Sequence, residues 1–173
     1  MPLIPFVAGG DLVSAELNAA LDAVQVTKLL FANVTVNNTT AFTTATDLTI
    51  PVAANVWYAL DMFIRYDSGT TPDIAIQLSG PSGTFLGVSP QGAPTSATLT
   101  TNSLQQNMVT GTGQVSFTLG GAGAGTSITA TPRGYVSPAG TAGVLTVAVA
   151  QAVANASNTS LIQGCWVKLS RVA

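Results

Sequence analysis

The sequence predicts a mainly β protein: an antiparallel β-sandwich of jelly-roll-like build, preceded by a short N-terminal extended arm and an α-helix. Three observations predict it. Apolar residues recur with a period of two over many short stretches. Gly, Pro, Asn and Asp clusters separate those stretches at close intervals, as in sandwiches and barrels. Only 7% of the 173 residues are charged, against roughly 25% in typical soluble domains. Thr, Ser, Asn, Gln and Gly take the place of charge, and Thr and Val suit a pleated, half-buried surface.

Residues 1–10 read as an extended arm ending in Gly9-Gly10. Asp11 or Ser14 is placed to cap the helix that follows. Val13, Leu17, Ala20, Leu21 and Val24 recur at helical spacing and form one apolar face. A helix of about three turns is marginal in water on its own. It therefore needs a surface, either its own domain or another subunit, and Val13, Leu17, Leu21 and Val24 are the candidate anchoring or oligomer interface. The pattern changes after Lys28, so we divide the chain into an anchoring segment, 1–28, and a sandwich domain, 29–173.

Leu29–Val36 reads as a strand, Asn37–Thr40 as a loop, and Asp47–Val52 as a short strand. Val56–Tyr66 is the clearest pattern. Val56, Tyr58, Leu60, Met62, Ile64 and Tyr66 fall on one face; Trp57, Ala59, Asp61, Phe63 and Arg65 fall on the other. Strict alternation of this kind describes a strand covering a core. Trp57 and Phe63 are then the candidate outward aromatic patch, available to a partner or a glycan. Further strands are expected at Asp73–Leu78, Thr84–Val88, Gln114–Leu119, Ser127–Thr131, Gly134–Val136, Val144–Gln151 and Leu161–Val172, with a weaker one over Ser96–Asn107. The run Gly120–Gly125 reads as a flexible hairpin turn.

Residue chemistry narrows the function classes. There is no histidine, which removes the commonest general base and most zinc sites. The single cysteine, Cys165, has no partner for an intramolecular disulfide and reads as a buried apolar residue of the last strand. Asp61, Asp67 and Asp73 recur every six residues, a pattern compatible in principle with paired carboxylate catalysis or calcium. No EF-hand spacing accompanies them, and Asp67 and Asp73 adjoin turn residues, where Asp bonds locally to backbone. The Gly-rich run has neither a dinucleotide nor a phosphate-loop spacing. We expect no enzyme, no cofactor and no metal.

The five basic residues, Lys28, Arg65, Arg133, Lys168 and Arg171, form no run, so nucleic-acid binding is not expected. Nor is a membrane partner: no apolar run reaches the ~20 residues a bilayer span needs. Met1–Phe6 lacks the basic and apolar regions of a signal peptide. A net charge of −2 resists self-association weakly.

Three segments resemble a known group. "AGGDLVSAELNAALDAV" (Ala8–Val24) is similar to the N-terminal helix that opens many small tailed-phage fibre and minor tail proteins. "LTVAVAQAVANASNTSLIQGCWVKLSRVA" (Leu145–Ala173) resembles the closing strands of β-sandwich virion proteins from phages of actinobacteria. There a T-L-x-x-A-Q element precedes an Asn/Ala/Thr loop and then G-S-W-x-x-L-x-R-V. Thr146, Ala150, Gln151, Gly164, Trp166, Leu169, Arg171 and Val172 fit, and Cys165 stands where that family usually has Ser. "VWYALDMFIRYDS" (Val56–Ser68) looks like the family's central strand. The resemblance covers about a third of the chain and carries no catalytic residues.

It implies a non-enzymatic structural protein on the surface of a tailed-bacteriophage virion. Minor-tail or fibre type is the first expectation, capsid decoration the second, and a glycan-binding adhesion module the third. Expected partners are other virion proteins and further copies of the chain, a homotrimer first, with a host surface glycan as a further class.

Overall fold

The computed structural model describes residues 25–95 and 106–172. The helix expected over Val13–Val24 lies outside these residues, and so does all but Gln106 and Asn107 of the strand expected over Ser96–Asn107. The described chain is almost entirely strand. In order these are β1 (Gln25–Leu29), β2 (Val34–Val36), β3 (Thr43–Thr44), β4 (Ile50–Val52), β5 (Tyr58–Asp67), β6 (Ile74–Ser79) and β7 (Phe85–Ser89). Then come β8 (Val109–Thr112), β9 (Gln114–Leu119), β10 (Ser127–Ala130), β11 (Arg133–Ser137), β12 (Gly143–Gln151), β13 (Thr159–Leu161) and β14 (Trp166–Arg171). A 3-10 turn, Thr46–Leu48, precedes β4.

The strands form two antiparallel sheets. The smaller runs β3-β12-β6-β9, with β4 also on β12. The larger runs β1-β14-β5-β11-β7-β8, with β10 continuing β11 along β5 and β13 continuing β14 along its other edge. The chain crosses repeatedly between the sheets, so that β4, β12, β6 and β9 face β5, β11, β7 and β8. Two interleaved sets of four describe a jelly roll. The expected fold class is therefore observed, and β14 and β1 widen one sheet beyond the eight-strand unit.

Alternation sets the core. On β5, Leu60, Met62, Ile64 and Tyr66 are at most 2% exposed. Ile74, Ile76 and Leu78 of β6 and Val147 and Val149 of β12 meet them from the other sheet, all fully buried. Cys165, Val167 and Leu169 complete the core from the last strand. β14 is an interior strand, paired with β1 on one side and β5 on the other, which is why a charge-poor chain closes on an alternating run.

Four expectations need correction. First, Leu29–Val36 is not one strand. β1 ends at Leu29 and β2 starts at Val34, because Leu30 turns into the core and exchanges backbone hydrogen bonds with Cys165 and Gly164 (2.8 and 3.0 Å).

Second, the sheet includes Gln25–Lys28, residues we assigned to the anchoring segment. Gln25 already stands opposite Ser170.

Third, Leu161–Val172 is interrupted. Between Leu161↔Tyr66 and Trp166↔Phe63, the residues Ile162–Cys165 bulge out opposite Ile64 and Arg65. Gly164 supplies the left-handed φ of 95° that the excursion requires. The Ile162 N–H donates to the Arg65 carbonyl at 2.9 Å, and the Cys165 Sγ accepts the Arg65 N–H at 3.1 Å.

Fourth, Gly120–Gly125 is no hairpin turn. It links β9 of one sheet to β10 of the other. Gly120 and Gly121 lie where backbones crowd, so that a Cβ on Gly121 would overlap the carbonyls of Ser68 and Gly69, while Gly123 and Gly125 take left-handed φ of 106° and 84°.

Candidate functional site

The three six-spaced aspartates do not converge. Asp61 points outward from β5 and pairs with Arg133 (Nε–Oδ1 3.4 Å). Asp67 takes the Gly125 N–H on both oxygens, at 2.9 and 3.1 Å. Asp73 takes the Gly121 N–H at 2.8 Å. Two of the three therefore pin the glycine-rich crossover from a distance in sequence, rather than bonding locally as expected. Partial burial raises the Asp73 carboxyl above the usual range, and the Gly121 hydrogen bond opposes that rise. No group of His, Cys, Asp or Glu able to hold a metal occurs among the described residues.

Beside this crossover lies a cleft of about 210 Å³ lined by Gly69–Pro72, Gly123, Ala124, Asn155 and Ser157. Its lining offers small polar groups and no charged side chain. Cys165 is fully buried, and burial pushes its thiol pKa up, so it is poorly suited to nucleophilic chemistry.

The distinctive surface is the outer face of the larger sheet. Registers place Val172, Trp57, Ser137 and Phe85 along one row across β14, the start of β5, β11 and β7. The next row holds Ser170, Ala59, Tyr135 and Gly87. Tyr135 thus sits diagonally between Trp57 and Phe85, with ring centroids 5.7 and 5.6 Å away. Trp57 is 50% exposed, Phe85 43% and Val172 65%. Together they make an apolar strip open to solvent, larger than scattered single residues would give.

The ring of Tyr135 occupies space above Gly87, which stands directly opposite it; a Cβ there would overlap the ring. Glycine inside a strand often marks such a close approach.

The following row is charged: Lys168, Asp61 and Arg133 lie side by side. Beyond it a second apolar cluster stacks Phe63 on Trp166, with centroids 6.4 Å apart and planes 19° from parallel. Leu29 of β1 stands opposite Trp166 and is 42% exposed.

Trp57 and Phe63 both face outward, as alternation requires, but they do not form one patch. Six residues of extended chain separate them by about 20 Å, with the Asp61–Arg133 pair between. Each joins a different aromatic partner. Tyr135 and Phe85, the other members of the strip, were missed from the sequence. The available signal was glycine: Gly87 within Phe85–Ser89 and Gly134 beside Tyr135. The candidate interface residues Val13, Leu17, Leu21 and Val24 lie outside the described residues.

This face offers ring faces, aliphatic surface and a few guanidinium and ammonium donors. No helix among the described residues is long and apolar enough to cross a membrane.

No protein-family model matches the chain, and no curated protein matches it. Among solved structures it is similar to the VP2 subviral particle of infectious bursal disease virus. Identity is 11% over 86% of this chain and 40% of that one, at a TM-score of 0.26. T=1 particles derived from the same virus give 11% identity, 86% and 39% coverage, and a TM-score of 0.26. The chain spans about two fifths of those proteins.

Proposed function

We propose that this chain is a non-enzymatic structural protein of a virus particle, of the tailed-phage minor-tail or fibre type. The observation that carries the reading is the outer strip Val172–Trp57–Tyr135–Phe85. A jelly roll with few charges that holds large rings open on a sheet face is suited to contact another protein surface. The phage-like segments Ala8–Val24, Val56–Ser68 and Leu145–Ala173 support the particle assignment, since all three resemble virion proteins.

Gold labelling of purified particles with an antibody to residues 29–173 tests it. Label at the tail is the expected result. Label over the head in many copies would make the chain a capsid decoration protein. Particles that take no label, with an antibody that binds the purified protein, would sink the virion reading.

Trp57 favours one further reading, a glycan-binding module, because a half-exposed indole suits stacking on a sugar. A glycan array that stays blank for a multivalent display of the protein would remove it.

A further inference from the structure

We infer that the cleft beside the glycine-rich crossover is a binding site for a single neutral sugar unit. The inference goes beyond the protein contact proposed for the strip and uses a different surface. Trp57 precedes β5 and Asp67 ends it, so ten residues of extended chain, about 33 Å, separate the strip from the crossover. The two surfaces can therefore be occupied at once.

The cleft lies where three connections meet. Gly69–Pro72 follow β5, Gly123 and Ala124 belong to the crossover, and Asn155 and Ser157 lie between β12 and β13. Each wall is fixed from behind. Gln151 is 1% exposed. Its Oε1 accepts the Asn155 N–H at 3.0 Å and the Thr39 N–H at 3.2 Å, and its Nε2 donates to the Ser157 carbonyl at 2.6 Å. The Pro72 carbonyl takes the Ala152 and Val153 N–H groups at 2.9 and 3.1 Å. The Ser68 carbonyl takes the Gly123 N–H at 3.1 Å, while Asp67 holds Gly125. A buried amide costs free energy unless its hydrogen bonds are made, and Gln151 makes its bonds to loop backbone. Walls held in this way need little further ordering when a ligand enters.

The lining selects the ligand. Asn155 spends its Oδ1 on the Ser157 N–H at 2.8 Å, which leaves its Nδ2 amide to donate. Thr70, Thr71 and Ser157 add hydroxyls, each a donor and an acceptor. Among the described residues no charged side chain and no aromatic ring lines the cleft. Asp67 and Asp73, close by, are turned onto Gly125 and Gly121. An ion would find no opposite charge in the cleft, and an apolar group would leave its polar groups unpaired. Neighbouring hydroxyls on a neutral ligand match the set. The volume of about 210 Å³ lies below the roughly 300–1,000 Å³ of drug-sized pockets, so the cleft takes one sugar ring.

Residue-resolved NMR titration of the full-length chain tests this. The probes are a panel of neutral hexoses and N-acetylhexosamines, with a sugar acid as the charged contrast. A neutral sugar should shift the Asn155 side-chain amide and the Gly123 backbone amide together, saturating in the millimolar range. The Trp57 indole should not move. Asn155→Asp keeps an oxygen for the Ser157 N–H and loses the Nδ2 donor, so the loop should stay and affinity should fall about three- to tenfold. Thr71→Val removes a hydroxyl, keeps the shape and should weaken binding by a similar factor.

A panel in which no sugar shifts Asn155 would overturn the inference. So would a sugar acid that binds where neutral sugars do not, or unchanged affinity in both variants. A sugar that shifts the Trp57 indole instead would overturn the cleft and support the glycan reading of Trp57. None of these results touches the contact-surface reading, which particle labelling tests separately.

Discussion

The ring of Tyr135 lies over Gly87, its cross-strand neighbour, and is held between Trp57 and Phe85. The glycine is buried, with the ring over the space a Cβ would take. A methyl group at position 87 has no room while the ring stays there. Gly87→Ala should therefore displace Tyr135 and cost about 1–3 kcal/mol, the usual penalty for overpacking. Thermal unfolding measures the loss, and near-UV circular dichroism should change because the aromatic trio is disturbed. An unchanged near-UV spectrum would show that the ring is not held as described.

Tyr66 is fully buried, and its hydroxyl donates to the Gly120 carbonyl at 2.9 Å. Burial, reinforced by Asp73, pushes its ionisation far above the ordinary value, so the hydroxyl remains a donor at any ordinary pH. Tyr66→Phe removes the donor and leaves a crowded carbonyl without it. We expect a loss of about 1–3 kcal/mol, measured by denaturant titration. A smaller loss would mean that the Gly120 carbonyl finds another donor.

Cys165 is a structural acceptor. Its Sγ receives the Arg65 N–H, and its S–H lies within reach of the Ile162 and Arg65 carbonyls at 3.0 and 3.2 Å. Serine retains both capacities, so Cys165→Ser should fold with a small change in stability. Cys165→Val leaves the Arg65 N–H unpaired and should cost about 1–3 kcal/mol. In the native protein the thiol should resist a soluble alkylating reagent until the chain unfolds, as counted by mass spectrometry.

Asp73 has a raised carboxyl pKa, from burial first. Its folded value exceeds its unfolded value, so the folded state holds the proton more tightly. The stability this contributes is present below the usual Asp range and is lost as pH rises through the folded value. Asp73→Asn keeps an oxygen to accept the Gly121 N–H and tolerates the left-handed φ of 46° found here. The variant should match or exceed the native protein at neutral pH, with a flatter stability profile between acid and neutral pH. A variant clearly weaker at neutral pH would show that the charge itself is required.

Much of the architecture was legible in the sequence because it depends on local periodicity. The alternation from Val56 to Tyr66 placed the core face of β5 correctly, and Cys165, read as a buried residue of the last strand, lies in the core. Alternation also turned Trp57 and Phe63 outward. What it left open was neighbourhood. Asp67 and Asp73 looked like turn residues, yet their hydrogen bonds reach the glycine-rich crossover. The glycines of that crossover looked like a hairpin, yet they join two sheets.

The sequence by itself determined that this chain makes many short antiparallel strands, which side of each faces the core, and that no histidine chemistry is available to it. Period-two burial and residue inventory are properties of a segment and need no partner. Only the tertiary structure decided that β14 lies between β1 and β5 and that Trp57, Tyr135 and Phe85 share one surface. Those three residues belong to strands distant in the chain. Sheet register, set by packing of the whole core, brings them within ring contact.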